Sequence, residues 1–254
     1  MKAIVTGGEG FIGKALTAAL RKRGVSVCVI DRKTGIEAGD YFTGIDLSEI
    51  DCVFHLAAQT SVFNINKSDI IHDNIEVFKI VSDACARYNT KLVYASSSTA
   101  GDGNTTSLYG ISKRFDEEFA RCYNPSATGV RFHNVYGPNP RHGTLLWYLL
   151  NHERVKLYNM GRNLRHFTYI DDIVNCLLIA MESDLPLLNA ANPELISTLQ
   201  LAEIVSKYKH VEIELVEECR DFDREEQSVN SHIPTVSLQY TSVTEGIRRI
   251  FERE

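Results

Sequence analysis

The sequence predicts a doubly wound α/β domain, a parallel sheet covered by helices on both faces, with a smaller lobe late in the chain. Three observations carry this. Short apolar runs rich in β-branched residues alternate with longer helical patterns through residue 132. Those runs are nearly continuous in apolar side chains, as strands buried on both faces are. A glycine-rich turn separates the first run from the first helix. With 254 residues the chain is long enough to bury one large domain and a lobe.

Each element has its own signal. "AIVT" (3–6) is the first strand, and "FIGKALTAALRKRG" (11–24) is a helix that Gly24 stops. "VSVCVI" (25–30) is the second strand, and "CVFHLA" (52–57) follows after a polar stretch. A helix is expected over 72–88, with apolar residues at 75, 77, 78, 81 and 85 forming one stripe. "KLVYAS" (91–96) is a strand, "SLYGISKRFDEEFARCY" (107–123) a helix and "ATGVRF" (127–132) a strand. The character then changes. "YGPNPRHG" (136–143) is a turn-rich loop, and "DDIVNCLLIAME" (171–182) and "VTEGIRRIFERE" (243–254) are the clearest later helices.

Composition narrows the function classes. A hydrophobic share of 44% and a charged share of 24% are those of an ordinary globular protein. A net charge of -6, with no basic run longer than "RKR" (21–23), gives no nucleic-acid footprint. No apolar run has the length to span a bilayer, and "MKAIVTGG" does not read as a signal peptide. The six cysteines (28, 52, 85, 122, 176, 219) form no CxxC and no close pair. They read as core residues in a reducing compartment, so the expected location is cytoplasmic.

The loop "TGGEGFIG" (6–13) carries the first chemistry. Gly7, Gly10 and Gly13, with Phe11 and Ile12 between them, suit a tight turn and a pyrophosphate resting on unpaired N–H groups at a helix start. A bland turn is the alternative. Asp31 favours the functional reading, because it ends the second strand 18 residues after Gly13. An acid there accepts hydrogen bonds from an adenosine ribose and repels a 2′-phosphate, which favours NAD. Arg32 and Lys33, immediately after it, pull the other way.

Tyr109 and Lys113 are four residues apart and share a helix face. An ammonium beside a phenol favours phenolate, although two half-exposed side chains on a helix would look the same. His55 reads as a packed histidine. His133, His142 and His166 lack partners at metal-ligand spacing, so no metal is expected. Trp147 lines a pocket or packs a helix.

Taken in order, the glycine loop, "HLAAQTSV" (55–62), "YASSS" (94–98) and "YGISK" (109–113) resemble the extended short-chain dehydrogenase/reductases. More narrowly they resemble the NAD-dependent sugar-nucleotide epimerase/dehydratase family. "VRFHNVYGP" (130–138) and "GRNLRHFTYIDDIV" (161–174) continue the resemblance over nearly the whole chain. It implies a Rossmann domain (1–133 plus 167–188) that binds NAD, and a nucleotide-sugar lobe (134–166 plus 189–254). Tyr109 is then the catalytic base, and Lys113 holds the nicotinamide ribose. Ser97, or next to it Ser98 on the substrate side, bonds the reacting hydroxyl. Asp46 and Leu47 lie beside the adenine, Ala57 and Ala58 along the cofactor, and Asn74 near the nicotinamide. Asn134 and Arg165 engage the substrate diphosphate, with Arg220 a further candidate unless it is a solvated surface residue.

The resemblance also implies a reaction. Its dehydratases carry an Asp–Glu pair after the strand-end hydroxyl, where this chain has Ser98 and Thr99. That points to an epimerase acting through a 4-keto sugar; the alternatives are a dehydratase or reductase of the same family, or a non-catalytic dinucleotide-binding scaffold. A UDP-hexose is the expected substrate. Relatives form homodimers through the helices expected here at 72–88 and 107–123, with Val77, Ile80, Phe115 and Phe119 as interface candidates. Departures are the 11 residues between Ser97 and Tyr109, His133 before Asn134, and a short 138–155 loop.

Overall fold

The structure, a computed structural model, describes residues 1–60, 66–101, 107–219, 226, 229 and 232–252. Its centre is a six-stranded parallel sheet. β1 (Lys2–Thr6) lies between β2 (Ser26–Ile30) and β3 (Cys52–His55), and β4 (Lys91–Ser97) and β5 (Thr128–Phe132) continue outward. A further strand, Leu187–Ala190, closes the far edge against β5 and was not marked by the sequence pattern. The chain therefore runs from β1 to β2 on one side and returns to β3 on the other. In such sheets a crevice opens at that reversal, beyond the carboxyl ends of the strands.

Alternation along β1 shows how both faces are filled. Ala3 and Val5 enter one core with Phe54, Val93 and Val130 under α1 (Phe11–Lys22). Ile4 enters the opposite core with Val53, Leu92 and Tyr94. That second core is roofed by α2 (Ala38–Phe42) and by the helix Val77–Tyr88. Successive strand side chains point to opposite faces, so a strand apolar throughout requires cover on both.

The helix expected over 72–88 differs at its start. A short α3 (Lys67–Ile70) leads into a π-helical turn, Ile71–Glu76, before α4 (Val77–Tyr88). α5 (Leu108–Tyr123) begins at Ser107, whose hydroxyl accepts from the Gly110 N–H at 3.1 Å.

The later residues build a second core. Tyr136, Leu149, Leu157, Phe167, Leu201 and Ile247 meet there. They come from short paired strands and from three helices: α6 (Leu145–Asn151), a second over Thr198–Ser206 and a third over Val243–Glu252. The helix Ile170–Met181 returns to the main sheet, packing against α1. Among the described residues no helix is long and apolar enough to cross a membrane.

Candidate active site

A cleft of about 700 Å³ lies over the carboxyl ends of β1–β5 and reaches the second core. Gly7, Gly10, Phe11, Ile12 and Gly13 form its floor, where α1 begins. A Cβ on Gly13 would stand 2.1 Å from the Gly7 carbonyl oxygen, so no other residue fits there. The α1 N-cap, Gly10, offers no side-chain bond to the first N–H groups. A helix start that lines a cleft without a side-chain cap is suited to an anion. Asp31 lines the next wall. Its carboxylate accepts from the Glu9 N–H at 2.9 Å and the Lys33 N–H at 2.9 Å, which fixes its orientation.

Ala57, Ala58, Ser97, Ser98, Tyr109, Lys113, Asn134 and Arg165 also line the cleft. Ser97 ends β4, and its oxygen accepts from the Thr99 N–H (3.2 Å) and hydroxyl (2.9 Å). Its own hydrogen is thereby left to donate. Ser96, one residue earlier, instead donates to Glu117 at 2.5 Å. Gly110 lets α5 approach this turn, since a Cβ there would lie 2.7 Å from the Thr99 carbonyl oxygen. Asn134 adopts φ 32°, a left-handed conformation that asparagine tolerates better than most residues.

Lys113 is fully buried, and its ammonium donates to Asp116 Oδ2 at 3.0 Å. Burial alone would lower the lysine, but Asp116 and then Tyr109 reverse this and hold it charged. Burial pushes the Asp116 carboxyl up to about 7, with the Lys113 ammonium opposing. The cation expected beside Tyr109 thus has a buried counter-charge that the sequence reading missed. Asp116 sits about one turn further along the same helix, within "KRFDEEFAR".

Three residues expected along the cofactor do not line this cleft. Leu47 is buried in the core beneath α2 and α4 and does not reach the cleft. Asp46 is exposed and accepts from the Ser48 N–H at 2.8 Å, closing a turn. Asn74 is buried behind the wall: its amide accepts from the Gln59 N–H at 2.7 Å and donates to the Gln59 carbonyl (3.0 Å) and Ser112 Oγ (3.0 Å). It shapes the cleft through the Gln59 backbone. Arg220 lies outside the described residues. Gln59, Thr60, Asp73 and Arg141 line the cleft without having been marked. Gln59 and Thr60 lie within the "HLAAQTSV" segment and Arg141 within "YGPNPRHG", but long-range packing decides which of their neighbours reach the cleft.

His55 is buried, with Nδ1 and the Thr6 hydroxyl 2.8 Å apart. Burial, with the Lys113 ammonium second, pushes it from 6.5 down to about 3. Unfolding therefore takes up a proton in that window, and stability falls as pH falls through it. Between pH 7 and pH 5 this one group costs about 2 kcal/mol. Urea titrations of His55→Gln are expected to show a pH 7 to pH 5 difference smaller than the wild type's by that amount. An unchanged difference would contradict the assignment. Among the described residues no group of three or more His, Cys, Asp or Glu is placed to hold a metal ion.

A glycine cradle at an uncapped helix start, an acid just after β2, and a tyrosine, a lysine and a strand-end serine lining the same cleft define a dinucleotide-dependent α/β enzyme class. The model of the NAD dependent epimerase/dehydratase family matches residues 3–189, and the chain belongs to that family. Its dinucleotide is NAD. It is similar to UDP-glucuronate 4-epimerase 4 of Arabidopsis thaliana, with 31% identity over 71% of this chain and 54% of that protein. Protein CapI of Staphylococcus aureus is 30% identical over 70% of this chain and 68% of that one. The chain spans about half the length of the Arabidopsis relative. Among solved structures, MoeE5 in complex with UDP-glucuronic acid and NAD superposes with a TM-score of 0.82 and 22% identity, covering 99% of this chain and 98% of that one. The Thermus thermophilus UDP-glucose 4-epimerase complex with NAD gives 0.78 and 24%, covering 99% of each chain. These two share the fold.

Proposed function

We propose that the protein is an NAD-dependent nucleotide-sugar epimerase that inverts C4 of a UDP-linked hexose, or of the corresponding hexuronic acid, through a transient 4-keto sugar. The observation that carries this is that Tyr109, Lys113 and Ser97 line one cleft together with the Gly7–Gly13 turn. Tyr109 takes the proton of the sugar hydroxyl and later returns it. Ser97 holds that hydroxyl, and the buried Lys113 keeps positive charge next to the phenol. NAD, when bound, supplies the hydride acceptor and donor. Arg165 and Asn134 are the groups for the diphosphate, where charge-assisted bonds are strongest. A second cavity of about 420 Å³ shares Gly143, Leu145 and Thr198 with the cleft and is flanked by Tyr148, Arg154 and Tyr158. It offers room for the nucleotide end.

Epimerisation is favoured over elimination by where the acids are. Among the described residues, the carboxylates lining the cleft are Asp31, Glu37 and Asp73, all grouped at the ribose end and none beside Ser97. Incubation with UDP-glucose, UDP-galactose and UDP-glucuronate is expected to give a product of unchanged mass, inverted at one carbon, without accumulated NADH. Loss of water, or net NADH, would favour a dehydratase or reductase. No turnover with NAD bound would favour a scaffold.

We propose a homodimer formed through α4 and α5. Ile111 is 50% exposed and Tyr123 66% exposed, and Phe115, Phe119 and Tyr123 form an aromatic ladder with ring centroids 5.7 and 4.7 Å apart. Val77 does not serve, because it is buried in the core. A one-chain mass by light scattering at micromolar concentration would contradict this. All six cysteines are unpaired, which supports a reducing, cytoplasmic setting.

A further inference from the structure

Arg32 follows the ribose-facing Asp31 directly, and an arginine at that place is a group by which a dinucleotide 2′-phosphate is accommodated. In this chain the guanidinium is already engaged. Its Nη1 donates to Asp73 Oδ2 at 2.7 Å, its Nη2 donates to Asp73 Oδ1, and its Nε donates to Glu37 Oε2 at 2.7 Å. A bidentate carboxylate pair of this kind is geometrically specific and strong.

Asp73 is built for that pairing. It is nearly buried and sits in the π-helical turn Ile71–Glu76, a kind of irregularity concentrated at functional sites. Gln59 Nε2 donates to it at 2.8 Å, and His72 Nδ1 lies 2.9 Å from it. Burial would raise its carboxyl, but Arg32, His72 and Gln59 hold it down at about 2. It is therefore a carboxylate wherever the protein is folded near neutrality. Asp31, Arg32, Glu37 and Asp73 all line the same end of the cleft.

We propose that Asp73 is a specificity-determining residue of the dinucleotide site: by pairing with Arg32 it withdraws the guanidinium from a 2′-phosphate and leaves Asp31, Glu37 and itself to reject one. This rests on the dinucleotide reading of the cleft. It resolves the opposition between Asp31 and Arg32 that the sequence alone leaves standing. The second cation, Lys33, is turned aside as well, its ammonium donating to the Glu9 carbonyl oxygen at 3.2 Å.

The test is fluorescence titration of NADH and NADPH on four proteins: wild type, Asp73→Asn, Arg32→Ala and the double variant. The wild type is expected to bind NADH far more tightly than NADPH. Asp73→Asn takes away the carboxylate that holds the two terminal nitrogens of Arg32, Nε staying on Glu37, and tightens NADPH by about tenfold, the scale of one charge-assisted hydrogen bond, with NADH little changed. The double variant loses that gain, and Arg32→Ala alone leaves NADPH as weak as in the wild type. Circular dichroism checks folding, and Asp73→Ser carries the same expectation should the asparagine variant not fold. Unchanged NADPH affinity in a folded Asp73 variant that still binds NADH overturns the proposal alone. So does a gain that survives in the double variant. A wild type that binds neither dinucleotide overturns the reading of the cleft, and the proposal with it.

Discussion

Tyr109→Phe is expected to lower turnover by about a thousandfold, the scale of a lost general base, while NADH binding stays within about twofold. The change removes one oxygen. The phenyl ring still fills its place on the first turn of α5, and the Ser107 cap and the close approach of Gly110 to Thr99 are untouched. The floor that holds the dinucleotide, Gly7 to Gly13, lies on another element altogether. A variant that binds NADH and retains wild-type turnover would show that the proton leaves by another group. Parallel loss of binding and turnover would point to a structural role instead. Single-turnover and binding measurements on the same preparation separate these outcomes.

Asp116→Ala is expected to cost about 3 kcal/mol of unfolding free energy, because it leaves the Lys113 ammonium buried without its carboxylate. The pair is fully enclosed, with side-chain exposures of 3% and 0%, so water cannot replace the lost partner. Removing both charges in Lys113→Met/Asp116→Leu is expected to recover most of that loss, since a well-packed apolar pair avoids both desolvation costs. The double variant should nonetheless remain inactive, because the positive charge beside Tyr109 is gone. Urea unfolding and turnover, measured side by side, check both halves. If the single variant is as stable as the wild type, the pair does not hold the helix together.

Local signals made much of the fold legible. The strands are apolar on both faces, the glycines punctuate them, and Gly13 cannot be replaced without collision with the Gly7 carbonyl. The motifs placed Tyr109, Lys113, Ser97 and Asp31 in advance, and the structure brings these four to one cleft. What sequence order does not encode is which side of a loop or turn faces inward. Asn74 was expected near the nicotinamide end, yet its amide is spent on the Gln59 backbone. Leu47 fills a core where a cofactor contact was expected. Nothing in sequence order marks Asp73 or Asp116; packing buries Asp73 against the distant Arg32, and Asp116 against Lys113 on its own helix. The π-helical turn that presents Asp73 has no pattern of its own in the 72–88 stripe.

The central claim is that carbon-bound hydrogen at the inverted centre leaves and returns within one closed site, with Tyr109 handling the accompanying proton. A UDP-sugar carrying deuterium at C4, converted to equilibrium and examined by mass spectrometry and NMR, tests it most directly. Deuterium retained at C4 of the inverted product is the predicted result. Deuterium washed out to solvent, or a product whose C4 configuration never changes, would contradict it.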